Sequence, residues 1–231
     1  MPGIAENLKA LRARIAAAAE RSGRDPESIT LVAVSKRFPA ETVNEAIRAG
    51  VAAIGENRVQ EAEAKWPDLL EGPERHLVGA LQRNKAGKAA ALFDRIQSID
   101  SLRLAEAVSR RAEAIDKRMP CLLEVNISGE ASKAGAPPED ARDLAERIAP
   151  LPGVLLEGLM TVGPLTDDRE AIRAAFRRMR ALFDDLRARP PAGAEMEVLS
   201  MGMSGDFEIA VEEGATLVRV GTAIFGARPP V

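Results

Sequence analysis

The sequence predicts an α/β fold: a single (β/α)8 barrel of the TIM type with an extra N-terminal helix, forming one domain over residues 1–231. Three observations carry this expectation. Short apolar runs alternate with amphipathic stretches along the whole chain, giving eight or nine candidate strands. Several of these runs are apolar on successive residues rather than on every second one, as in strands buried on both faces. Finally, 231 residues without a linker rich in Gly, Pro or Ser suit one closed barrel better than an open sheet or two domains.

The elements follow in order. Ile4, Leu8, Leu11 and Ile15 recur at helical spacing, and Gly23 with Pro26 ends that first helix. A β-rich run, Ile29 to Lys36, comes next and stops abruptly in polar residues. Helix 40–50 precedes a strand at 53–55, and helix 57–66 leads to a strand at 76–79. Helix 84–92 leads to 95–99, and helix 101–117 to 121–127. Helix 137–149 leads to 155–162, and the long helix 167–188 to 196–201. Helix 206–213 leads to 217–221, and a last short helix starts near Thr222. Alternation of this kind implies parallel strands with right-handed crossovers. Pro190 to Gly193 reads as a loop, because only two strands follow it.

Composition removes several classes of function. Net charge is −3 and the pI is near 5.5, which is not the footprint of a nucleic-acid binder. No apolar run approaches the length needed to span a membrane, and the charged N-terminus lacks the apolar core of a signal peptide. One cysteine and one histidine leave no zinc-type cluster. Cys121 lies in a mostly apolar run and reads as a core residue; His76 reads as a satisfied structural histidine near the barrel base. A soluble protein of the cytoplasm that binds neither nucleic acid nor membrane is the expectation.

In a barrel, function sits at the C-terminal ends of the strands. Those ends carry Lys36, Glu56-Asn57-Arg58, Gly79 with Gln82 and Asn84, Ser98 with Asp100, Asn126, Met160 with Thr161, Ser200 to Ser204, and Arg219 to Thr222. A lysine at the barrel mouth, partly desolvated, has its ammonium form disfavoured, and the neutral amine attacks aldehydes. Gly221-Thr222 joins a strand to a helix start, and Ser200-Met201-Gly202-Met203-Ser204-Gly205 ends the preceding strand. Two adjacent glycine and hydroxyl loops after the last two strands suit a phosphate. Arg219 stands between two valines; it reads either as an interior ion pair or as a cation facing a ring nitrogen, which it would keep unprotonated.

These features, with Ala33-Val34-Ser35-Lys36, Ile54-Gly55-Glu56-Asn57-Arg58, the stretch His76 to Lys85, Glu124-Val125-Asn126-Ile127, Gly158-Leu159-Met160-Thr161, Leu199 to Asp206 and Val218 to Gly226, resemble a known family. The chain is similar to the pyridoxal 5′-phosphate (PLP) homeostasis proteins, the YggS-like family, which resemble the barrel domain of bacterial alanine racemase. The resemblance implies a PLP-binding protein of intracellular vitamin B6 homeostasis, holding PLP as a Schiff base on Lys36. It implies Arg219 at the pyridine nitrogen, phosphate contacts from Ser200, Ser204, Gly221 and Thr222, and Asn57 near the ring. PLP-dependent apo-enzymes are its candidate partners.

A racemase needs a base on each face of a planar intermediate, and in the racemases the second is a tyrosine. This sequence contains no tyrosine. After the last barrel unit no second domain that would shape a dimer interface is expected. A monomeric carrier or regulator is therefore expected, the alternative being a PLP-dependent amino-acid racemase of low activity.

Overall fold

A computed structural model describes residues 3–130 and 133–227. Among the described residues, eight strands close into a barrel, each parallel to its neighbours: β1 (Thr30–Val34), β2 (Ala53–Glu56), β3 (Glu74–Leu77), β4 (Arg95–Ile99), β5 (Met119–Glu124), β6 (Val154–Met160), β7 (Val198–Ser200) and β8 (Leu217–Val220). The ninth candidate strand is not needed, because β1 pairs with β8 and leaves no edge.

Helix α1 (Ile4–Arg21) precedes the barrel. Crossover helices follow in turn: α2 (Ala40–Arg48), α3 (Val59–Lys65), α4 (Ala86–Leu92), α5 (Leu102–Glu113), α6 (Ala141–Ile148), α7 (Arg169–Ala188) and α8 (Phe207–Glu212), with α9 (Thr222–Phe225) last. The periodicity placed each of them. Its boundaries ran long at 137–149 and 84–92, whose first turns are 3-10 rather than α. The strand expected at 76–79 begins at Glu74, because Glu74 N bonds Ala52 O and extends the ladder through two polar residues.

The extra helix closes the chain on itself. Leu8, Leu11 and Ile15 of α1 are buried, and α1 packs on α8 and α9. Arg14 and Arg21 pair with Glu208 and Glu212 of α8, and Asn7 Nδ2 donates to Ile224 O of α9 at 2.9 Å. These contacts hold the last two βα loops against the first element of the chain.

Strand register sorts the side chains. Val32, Ala53 and Glu74 are in register with Arg219 and point to the interior with it, as Val34, Gly55, His76 and Arg95 are in register with one another. The alternate positions Ala33, Ile54, Leu77, Ile96, Leu199, Val218 and Val220 face the helices and form the large core. Inside the barrel the apolar filling is small: Val32, Ala53 and Leu217, with Val78 and Val198 against them. Polar side chains occupy the rest. Gly158, at φ 154°, bends β6 where a Cβ would lie 1.9 Å from Val198 O, so only glycine lets β6 and β7 pair there. Cys121 is fully buried in β5.

Candidate functional site at the barrel mouth

Strand β1 ends at Val34, two residues before Lys36. Ser35 N still bonds Gly55 O at 2.9 Å, and its buried hydroxyl donates to Glu56 Oε1 at 2.7 Å. The chain then turns through Arg37 at φ 68°, a left-handed conformation uncommon outside glycine. The abrupt turn leaves Lys36 half-buried at the mouth rather than inside the sheet. Beneath it lies a compact cluster. Lys65 of α3 reaches inward to Glu56 and also donates to Ser35 O at 2.8 Å, so an ion pair backs the peptide that carries Lys36. Burial raises the Glu56 carboxyl above its ordinary range, against the pull of Lys65.

A cavity of about 420 Å³ opens at this mouth. Lys36, Asn57, Ser204, Gly205, Arg219, Gly221 and Thr222 line it, with Val34, Phe38 and Val78 among its apolar walls. Six of the seven residues singled out in the sequence thus converge, from strand ends far apart in the chain. The loops after β7 and β8 meet directly, since Ala223 N lies 3.4 Å from Ser204 Oγ. Phe38 stacks on Phe225 of α9, ring centroids 5.0 Å apart, tying the Lys36 loop to the Gly221-Thr222 loop. Asn57 is positioned by close backbone contact: a Cβ on Gly79 would stand 2.4 Å from Asn57 O.

Ser200 is the seventh, and it departs from expectation. Its side chain is fully buried and does not line the cavity. It lies in β7 before the loop begins, so it points into the barrel, where Oγ accepts from Arg219 Nη1 at 2.5 Å and donates to Gln97 Oε1 at 2.7 Å. Both roles of the hydroxyl are taken, and the geometry assigns Ser200 to Arg219 rather than to an anion. The Glu56-Asn57-Arg58 group also divides. Asn57 faces the cavity, Glu56 turns outward to Lys65, and Arg58 is exposed beside Glu61. Gln82 and Asn84 line other surface clefts, one of them a larger, open arginine-lined groove of about 840 Å³ without the mouth residues.

Arg219 is the buried cation of the site. Nη2 donates to Thr161 O at 2.7 Å, and Ser200 holds Nη1. Desolvation lowers its pKa to about 10, opposed by Glu124 and Asp206, so it stays charged at neutral pH. Glu124 was not singled out from sequence. It ends β5 and lines an adjoining cavity of about 230 Å³ with Asn126 and Lys133, sharing Asn57, Val78 and Val162 with the first. Burial pushes its carboxyl up to about 7, against the attraction of Arg219. The available signal was a carboxylate closing an otherwise apolar strand, Cys121-Leu122-Leu123-Glu124. Among the described residues no cluster of side chains suits a metal ion.

A primary amine, a buried guanidinium, and facing hydroxyl and glycine loops at the C-terminal mouth define a parallel α/β barrel built to take a small anionic ligand. Comparison with known proteins narrows that class. The sequence profile of the family described as "Alanine racemase, N-terminal domain" matches residues 7–229. The pyridoxal phosphate homeostasis protein of Pseudomonas aeruginosa is 45% identical over 229 residues, covering 99% of this chain and 97% of its own length. That of Escherichia coli is 42% identical over 232 residues, covering 99% and 98%. The solved structure of PipY of Synechococcus elongatus with PLP bound is 40% identical, with a TM-score of 0.85 over 96% of this chain and all of that one. The chain belongs to the family of the pyridoxal phosphate homeostasis proteins. An alanine racemase of Clostridium difficile, 14% identical with a TM-score of 0.74 over 95% of this chain and 57% of its own, shares the fold.

Proposed function

We propose that this protein binds PLP at the mouth cavity and serves intracellular PLP homeostasis as a monomeric binding protein of the cytoplasm, not as a fast amino-acid enzyme. One observation carries the reading: Lys36, the one amine lining the cavity among the described residues, faces the same space as the buried Arg219 and the Ser204-Gly205 and Gly221-Thr222 loops. The donor set fits the ligand. A phosphate takes hydroxyl and amide donors from two facing loops, an aldehyde takes an amine, and an aromatic ring takes apolar walls.

When bound, PLP supplies an aldehyde that condenses with amines and a ring that accepts electrons. Lys36 bonds the aldehyde carbon. Ser204, Gly221 and Thr222 hold the phosphate, and Asn57 stands beside the ring. Arg219 meets the ring nitrogen as a donor. It keeps that nitrogen unprotonated, which weakens the ring as an electron sink and favours holding the ligand over turning over a substrate. Apo-enzymes that need PLP are the corresponding partners.

Absorbance after addition of PLP tests the reading, followed by borohydride reduction and mass mapping of the modified peptide. A chromophore fixed on Lys36 and missing in Lys36→Ala is expected; a chromophore unchanged in that variant overturns it. Deuterium wash-in at the α-carbon of alanine tests the non-enzymatic role, and rapid exchange would refute it.

A further inference from the structure

The interior of the barrel below Arg219 holds a continuous line of polar side chains. Arg219 Nη1 donates to Ser200 Oγ at 2.5 Å, and Ser200 Oγ donates to Gln97 Oε1 at 2.7 Å. Gln97 Nε2 lies 2.7 Å from His76 Nδ1. His76 Nε2 lies 3.1 Å from Glu74 Oε2, a contact with poor hydrogen-bond alignment, and Glu74 pairs with Arg95 at 3.0 Å. Arg95 Nε ends the line on Glu157 at 2.7 Å. Ser200, Gln97 and His76 are fully buried, so bulk solvent does not reach these contacts.

The line has one direction. A guanidinium only donates, so Ser200 accepts from it and spends its own proton on Gln97 Oε1. The amide nitrogen of Gln97 then faces His76 and must donate, which leaves Nδ1 without a proton and places the ring proton on Nε2, toward Glu74. His76 is therefore the acceptor that fixes which way Gln97 faces. Without it the amide can turn and offer Ser200 a donor, competing with Arg219 for the same lone pairs.

We propose that Gln97 and His76 are positioning residues for Arg219, setting the guanidinium through Ser200 although neither lines the cavity. This rests on the reading of the cavity as a PLP site with Arg219 at the ring nitrogen. Packing alone does not account for the pattern, since a shape-matched apolar residue at position 76 or 97 would avoid burying polar atoms.

Four full-length proteins test it: wild type, His76→Leu, His76→Asn and Gln97→Met, each titrated with PLP while the absorption spectrum of the bound chromophore is recorded. His76→Leu is expected to weaken PLP about tenfold, roughly the worth of one hydrogen bond to a charged group, and to displace the absorption maximum. Asparagine presents an acceptor near the place of Nδ1, so His76→Asn is expected to restore the wild-type spectrum although it fills less of the site. Gln97→Met keeps the volume and is expected to behave as His76→Leu; it decides the matter if His76→Leu does not fold. Equal spectra in wild type and Gln97→Met, or equal changes in His76→Asn and His76→Leu, overturn the proposal. A wild type without a Lys36-dependent chromophore would instead remove the PLP reading itself.

Discussion

Arg219 and Ser200 are held together at 2.5 Å across the β7–β8 seam, the guanidinium donating into a hydroxyl whose own proton is committed to Gln97. The contact is wholly buried, and it decides what each residue is for. Ser200→Ala should leave Arg219 Nη1 and Gln97 Oε1 without partners. A stability loss of about 1–3 kcal/mol is expected in urea unfolding, the desolvation cost of buried groups left unpaired. PLP affinity should fall with it, without the wholesale loss that removing a phosphate ligand would bring. Unchanged stability would show that the hydroxyl is dispensable to Arg219.

Lys65 and Glu56 form the second buried device, under the Lys36 turn. Lys65→Met removes the cation from a carboxylate that is fully buried. About 3 kcal/mol of destabilisation is expected, the usual result of leaving one partner of a buried pair alone. Protonating Glu56 relieves that isolation, so the deficit relative to wild type should be smaller at pH 5 than at pH 8. Lys65→Met combined with Glu56→Gln should recover part of it. Thermal unfolding at the two pH values measures this, and a pH-independent deficit would contradict the assignment.

Glu124 sets a pH dependence with a defined sign. Its folded pKa is raised to about 7 from an ordinary 4.5, so between those values the folded state holds more protons than the unfolded one. Its contribution to stability is therefore fully present below about pH 4.5 and declines as pH rises to about 7, by an amount on the order of 3 kcal/mol. Glu124→Gln should remove that decline, giving a variant more stable than wild type at pH 8 and little different at pH 4.5. Urea midpoints across this range check it; parallel curves for the two proteins would place Glu124 in a solvated setting.

Gly79→Ala addresses the site through the backbone. The added Cβ would meet Asn57 O at 2.4 Å and Asn57 Cα at 2.8 Å, and neither is a flexible side-chain end. The loop carrying Asn57 must move. A loss of about 1–3 kcal/mol is expected, as for overpacking elsewhere, together with weaker PLP binding while the Lys36 attachment itself persists. Wild-type affinity in this variant would mean that Asn57 contributes nothing to the ligand.

The sequence by itself determined the barrel and the end of it at which to look for a site. Apolar runs alternating with helical stretches gave eight or nine candidate strands, because strands buried on both faces read as unbroken apolar segments, and pairing of β1 with β8 fixed the number at eight. The rule that barrels present their chemistry at the C-terminal strand ends pointed to the mouth, and the family resemblance narrowed the strand-end residues to seven, of which Lys36, Asn57, Ser204, Arg219, Gly221 and Thr222 line one cavity. What only the tertiary structure decided was the direction of each polar side chain near a strand end. Ser200 and Ser204 belong to one motif, yet one closes on Arg219 inside the barrel and the other faces the cavity. Glu56 and Asn57 are adjacent, yet one turns to Lys65 and the other to the mouth. A strand reverses face at every residue, so the side a residue takes depends on register and on where the ladder stops. Those are set by hydrogen bonds between strands distant in sequence, and the line from Arg219 to Glu74 exists only because closure brings β8, β7, β4 and β3 around one interior.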